Sequence, residues 1–447
     1  MSQLDVHRLH FAFTMLSVNR FPIVLVALVL LAGCQRLLAP SPNLYVDAVT
    51  DPFADVPAEF RTNTVDILYA TDRKPESERN GSVRYGYDRS AWLAFGSCTV
   101  EIGHDVSWPR LVEASRSEKR TVSLPLRLGA VTPLGRFPQT PPPLELKDGE
   151  LTETDEYLAK KQAAIGKLHD ELRRRLALTP RKEAFVFVHG YKNTLEKAAF
   201  RLAELWHFLG RQGVPVLYTW PAGAPGLLHG YTRDRESGEF TIFHLKEFIT
   251  ALAACPELER ISIIAHSRGT DIAATALREL VIAADARGED PQATYKIAHL
   301  IIAAPDIDAE VSGQRNASDR LFRIYDHSVV YVSPNDRALG TAEWLFASPR
   351  RMGKLRPEHL TERDRQRLSV FQDGEIVDSR IRSKGMGHNY FLSNPATLSD
   401  LILVLRYDRP PTAEGGRPLT EIAPNWYILD DDYPRKAAPL PKSMRGE

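Results

Sequence analysis

The chain has 447 residues, 43% of them hydrophobic, enough to bury one large core or two smaller ones. Lysine plus arginine (57) equals aspartate plus glutamate (57), so no net charge draws the chain to a polyanion. It has no sustained basic stripe with interleaved aromatics, and no nucleic-acid partner is expected.

Phe21 to Leu31 (FPIVLVALVLL) is an uncharged apolar run preceded by Arg20. It is short for a bilayer span but the right length for the h-region of a signal peptide. It ends in Leu31-Ala32-Gly33-Cys34, which resembles the lipobox of bacterial lipoproteins. That resemblance implies a lipoprotein signal peptide over residues 1–33, an acyl (palmitate-type) lipid on Cys34 and a membrane-anchored place in the bacterial cell envelope. Gln35 follows the cysteine, where an aspartate would resemble the inner-membrane retention signal, so the outer membrane is the expected destination. Met15 is the expected start, because 20 residues before the h-region are long for an n-region.

Residues 34–60, with their scattered prolines, read as a tether. The main domain is expected over 61–407. Thr64 to Ala70 and Ala94 to Ile102 read as its first strands, with a polar, turn-rich stretch from Arg73 to Arg89 between them. Pro109 to Gly149 reads as an irregular surface insertion, with Pro141-Pro142-Pro143 forbidding regular structure locally. From Leu151 to Ala177 the periodicity is helical.

Strands and helices then alternate. Ala184 to Val188, Val214 to Thr219, Ile261 to Ala265, Ile297 to Ala303, Ser328 to Val332 and Glu375 to Ile381 are short apolar runs of strand length. Helical patterns occupy Thr194 to Leu209, Phe240 to Ala254, Thr270 to Ala284 and Ala396 to Leu405. Such alternation predicts an α/β protein with a mostly parallel, doubly wound sheet and helices on both faces. Residues 408–447 read as an extended C-terminal tail. Cys98 and Cys255 are left either to pair or to stay buried as thiols.

Four loops at the ends of these strands carry chemistry. Ile261 to Gly269 (ISIIAHSRG) runs from an apolar strand through Ala265-His266-Ser267-Arg268-Gly269 into a helix. This is the context of a nucleophile elbow, with Ser267 at the apex and a helix N-terminus behind it to favour a developing oxyanion. The N–H of Arg268 is the first expected oxyanion donor. Phe185 to Tyr191 (FVFVHGY) ends a buried strand in His189-Gly190, and the N–H of Tyr191 is the second. His189 and His266 are read as structural histidines.

The base and acid follow. Gly385 to Phe391 (GMGHNYF) sets His388 directly behind two glycines on a loop after the last strand of the alternation, where a general base belongs. His327 and His299 are read as framework residues. Ser328 to Leu339 (SVVYVSPNDRAL) places Asp336 after the preceding strand. It is the favoured acid, with Asp306 and Asp308 of AAPDID as alternatives.

Together, VDILYATDR (65–73), FVFVHGYKNT (185–194), YTWPAGA (218–224), IIAHSRGTDI (263–272), LIIAAPDID (300–308), YVSPNDRAL (331–339) and GMGHNYF (385–391) resemble a bacterial α/β-hydrolase family of unknown function. The resemblance implies the α/β-hydrolase fold and a Ser267, Asp336, His388 triad. The lipobox, the 109–149 segment and the tail depart from it.

The expected reaction is hydrolysis of a small-molecule or lipid ester through an acyl-enzyme, without a cofactor or a metal. The competing readings are a non-catalytic envelope scaffold that keeps the fold and a serine peptidase or amidase. The Trp220–Leu228 loop reads either as the lining of an acyl pocket or as a packed surface loop.

Overall fold

The computed structural model describes residues 36–434, except 47, 49–50, 227, 341–350, 372, 383–385 and 413–415. The expected signal peptide, Cys34 and Met15 lie outside the described residues. Among those described, no helix is long and apolar enough to cross a membrane.

In chain order the strands are β1 (Thr64–Arg79), β2 (Ser82–Ile102), β3 (Leu126–Arg136), β4 (Leu144–Lys147), β5 (Glu150–Glu153), β6 (Glu183–Val188), β7 (Val214–Thr219), β8 (Arg260–His266), β9 (Ile297–Ala303), β10 (Tyr325–Val332), β11 (Gly374–Ser379), β12 (Thr420–Ala423) and β13 (Trp426–Leu429). Eleven of them form one sheet in the order β12-β13-β11-β10-β9-β8-β6-β7-β1-β2-β3. Its centre, from β1 to β13, is parallel throughout. β2 and β3 extend one edge antiparallel and β12 closes the other.

The apolar runs form these strands because both faces of the sheet are covered. All six residues of β6 are buried. Phe185 and Phe187 point to one core, while Ala184, Val186 and Val188 point to the other. Helices α2 (Asp155–Leu176), α4 (Leu228–Ala253) and α5 (Gly269–Arg287) pack on the second face, and α3 (Leu195–Phe208) and α6 (Pro395–Leu405) on the first. α1 (Trp108–Arg116) adds Leu111 to the first core. Local chemistry sets the helix starts: Thr154, Thr194 and Asn394 each accept backbone N–H bonds as N-caps. The mostly parallel, doubly wound sheet predicted from the alternation is present, as the α/β-hydrolase fold implied by the resemblance requires.

Four expectations are corrected. The chain from Leu37 onward belongs to one compact unit, so residues 37–60 are no tether. Leu38, Tyr45, Phe53 and Val56 are buried in the first core, and the Ala39 N–H donates to Glu204 Oε1 over 2.9 Å. Prolines prevent regular structure there but not packing. At 3 kcal/mol or less apiece, four buried side chains still contribute on the order of 10 kcal/mol before entropy is subtracted.

The 109–150 segment is no irregular insertion. It holds α1, β4 and β3, and β3 pairs with β2 along eight register positions. Register shifts at Phe95/Gly96 and Cys98/Val100 break the period that would have revealed it. The polar stretch 73–89 is likewise strand, because the β1–β2 ribbon continues past the sheet with little of either face buried.

The described part of the tail, up to Pro434, is structural too. β13 runs parallel to β11, and Arg417, fully buried, grips Asp400 of α6 with two bonds of 3.0 and 2.9 Å and also donates to Glu375. Tyr331 and Tyr433 donate to the same Asp400 carboxylate. Cys98 and Cys255 are buried free thiols, and burial pushes that of Cys98 up to about 12.

Candidate active site

The loops singled out above gather at the C-terminal ends of β6, β8, β10 and β11. Ser267 follows β8 directly, with φ at +54° in the left-handed region that L-residues seldom occupy. The surroundings hold it there: its N–H donates to Ala303 O over 2.9 Å, and its carbonyl accepts from Thr270 Oγ1 over 2.6 Å. α5 begins two residues later at Gly269, so its N-terminus lies beside the serine.

Two glycines let the neighbouring backbones pass. A Cβ on Gly269 would stand 2.4 Å from His189 O, and one on Gly190 would stand 2.6 Å from Ser267 Cβ. No side chain fits either position. Hence the His189-Gly190 turn lies against Ser267, and Tyr191 follows it immediately.

His388 Nδ1 lies 2.7 Å from Asp336 Oδ2. Asp336 is buried, and its other oxygen accepts from Leu339 N over 3.1 Å. One backbone bond joins the two loops, from Arg337 N–H to Met386 O over 3.0 Å. Ionised Asp336 accepts only, so the imidazole carries its proton on Nδ1 when neutral and leaves Nε2 with a free lone pair.

The alternative acids are engaged elsewhere. Asp306 accepts from the Tyr231 hydroxyl over 3.3 Å and pairs with Arg351 at 3.4 Å. Asp308 caps a short helix through Glu310 N and Val311 N. His299 bonds Ser262 and Asp408, and His327 faces Glu375. The Arg268 side chain turns to Asp271 at 2.9 Å.

Further supports surround the His189-Gly190 loop. Arg73, fully buried, donates to Gly86 O, Ala222 O and Asn193 O, each over 2.8 Å, and to Thr219 Oγ1 over 2.9 Å. Burial, with Arg73 beside it, holds the His189 imidazole well below its ordinary value, so it stays neutral. Its ring stacks on Trp220, whose indole N–H donates to His189 O over 2.7 Å. Trp220 is therefore a buried prop for this loop.

Asp234, from α4, accepts from Lys192 N over 3.0 Å and from Gly223 N and Ala224 N. Burial raises its carboxyl, with the three N–H groups acting against that shift. In the sequence it lies within GYTRDRESGEF, a polar stretch ahead of the helical pattern that starts at Phe240.

A glycine-flanked serine on a strained strand-to-helix turn and a histidine bonded to a buried aspartate, set on a doubly wound sheet, define an α/β hydrolase. The chain belongs to the family described as alpha/beta hydrolase of unknown function (DUF900), whose model matches residues 165–405. No curated protein matches it. Among solved structures it is similar to the hyperthermophilic esterase from the archaeon Pyrobaculum calidifontis, at 13% identity over 52% of this chain and 76% of that one, with a TM-score of 0.25. It is also similar to a CE15 glucuronoyl esterase from Teredinibacter turnerae T7901, at 10% identity over 92% of this chain and 78% of that one, with a TM-score of 0.23. TM-scores this low carry no weight for activity or substrate.

Proposed function

We propose that the protein is a serine hydrolase that cleaves a carboxylic ester through an acyl-enzyme, with Ser267 as nucleophile, His388 as base and Asp336 as its partner. The observation that carries this reading is the 2.7 Å His388–Asp336 bond at the same sheet end as a serine held at φ +54°.

His388 Nε2 takes the Ser267 proton as Oγ bonds to the ester carbonyl carbon, and the C=O electron pair moves to oxygen. The N–H groups of Arg268 and Tyr191 receive that oxyanion, with the α5 N-terminus adding to the field. Collapse expels the alkoxide, which leaves with the proton from His388. Water then repeats the sequence on the acyl-enzyme, releasing the acid and returning the proton to Ser267.

The lipobox-like Cys34 supports a second part of the reading, an acylated protein anchored in the cell envelope. Labelling with a palmitate analogue in the parent, absent in Cys34→Ser, tests it.

Fluorophosphonate labelling read by intact mass tests the chemistry. One adduct on the parent and none on Ser267→Ala is the expected result. A folded parent that takes no adduct overturns it in favour of a scaffold. Labelling followed by turnover of amides alone moves the activity to a peptidase or amidase.

A further inference from the structure

His266 precedes the nucleophile, and nothing in the reaction above uses it. It is buried, and its ring is sandwiched. One face stacks on Phe391 at 4.7 Å and 26°, and the His388 ring lies 4.9 Å away at 47°. Phe391 in turn stacks on Phe187 of β6 at 6.4 Å, so a column of rings runs from the core to the base. His266 Nε2 stands 3.1 Å from the carbonyl oxygen of His388. A carbonyl only accepts, so Nε2 carries the proton and donates.

We propose that His266 is a positioning residue for His388, a reading that rests on His388 being the base. The bond to Asp336 fixes only the rotation of the His388 ring. The peptide that carries the ring follows Gly387, a flexible residue at φ +71°, and needs its own restraint. The His266 N–H supplies that restraint from the residue next to the nucleophile, so base and nucleophile are registered through a single side chain. The arrangement also requires His266 to be neutral, because His388 becomes an imidazolium during acyl transfer less than 5 Å away. Burial first, and His388 second, hold it well below its ordinary value.

The test compares the full chain with His266→Gln, whose amide keeps an N–H donor, and His266→Leu, which keeps bulk only. The readouts are kcat and KM on p-nitrophenyl acetate and the low-field proton resonance of the His388 Nδ1–H shared with Asp336, identified by its loss in Asp336→Ala. In His266→Leu, kcat should fall by about 10- to 100-fold with KM unchanged, as expected for a misplaced base, and the low-field signal should broaden away. His266→Gln should restore both.

Equal kcat in all three proteins overturns the proposal, and so does an equal loss in Gln and Leu variants that both keep the signal. An inert parent whose signal still disappears in Leu and persists in Gln supports the positioning and overturns only the hydrolase reading.

Discussion

Asp336 and His388 lie 52 positions apart in the chain, yet their side chains meet at 2.7 Å, tied by a backbone bond between Arg337 and Met386. The pairing selects the tautomer with Nε2 free. Asp336→Asn offers an amide that prefers the opposite tautomer, so kcat on p-nitrophenyl acetate should fall by roughly 10³–10⁴-fold. The thermal midpoint should change little, because the Asn keeps the shape. Near-parent turnover would move the acid elsewhere, with Asp306 the next residue to substitute.

Gly190→Ala places a methyl 2.6 Å from Ser267 Cβ and 3.0 Å from His266 O. Either the oxyanion loop or the elbow must shift, and the fluorophosphonate labelling rate should drop about 100-fold. Gly166→Ala on the exposed side of α2 meets nothing within 4 Å and is the control. There the rate should be unchanged and stability should rise by about 0.5–1 kcal/mol. Equal labelling in both variants would sink the close-approach argument.

Asp234→Asn turns an acceptor of three N–H groups into an amide with one donor end facing them. Loosening Lys192 displaces the adjoining Tyr191 N–H. The cost of leaving such groups unmet is about 1–3 kcal/mol, to be read as a reduced kcat with KM little affected. A variant that lost stability but kept kcat would confine Asp234 to holding the fold.

The C-terminal clasp should be felt in stability. Removing Arg417 leaves Asp400 and Glu375 buried with two and one fewer charge-assisted bonds. Arg417→Ala is expected to lower unfolding free energy by about 3–5 kcal/mol, as for breaking one side of a buried ion pair. Urea titration checks it, and a change below 1 kcal/mol would mean the tail packs independently of the ion cluster.

Acid should destabilise the fold through His189, His207 and His266. Burial holds all three imidazoles well below their ordinary value, joined by Arg73 at His189, Arg211 and Arg120 at His207 and His388 at His266. Their folded values lie below the unfolded value, so their contribution is complete above about pH 6.5. Below it the unfolded chain binds protons that the native state refuses, and stability falls. Three such groups give a slope of up to about 4 kcal/mol per pH unit in that window. Urea unfolding at pH 7.5 and 5.5 measures it, and equal values at both would contradict the buried neutral state.

The parallel centre of the sheet was legible along the chain because each strand there is a continuous apolar run buried on both faces. Val214–Thr219 and Ile297–Ala303 match their predicted bounds. The elbow, the His189-Gly190 turn and the Asp336 and His388 loops were legible for a related reason. Each is a short segment whose chemistry is written in adjacent residues, and their spacing along the chain follows the βα order. What tertiary structure alone decided has no local period. Leu38, Tyr45, Phe53 and Val56 are buried only because α3 and the β1–β3 edge lie above them. β13 joins the sheet by pairing with β11, a strand about 50 residues earlier in the chain. Arg73, Asp234 and His266 acquire their roles because a guanidinium, a carboxylate and an imidazole, unremarkable in their own sequence contexts, are folded against backbone groups from distant segments. Sequence order sets which strand ends carry reactive residues. Which side chains hold those ends in place depends on long-range packing, where the cost of an unmet buried N–H or carbonyl selects the partner.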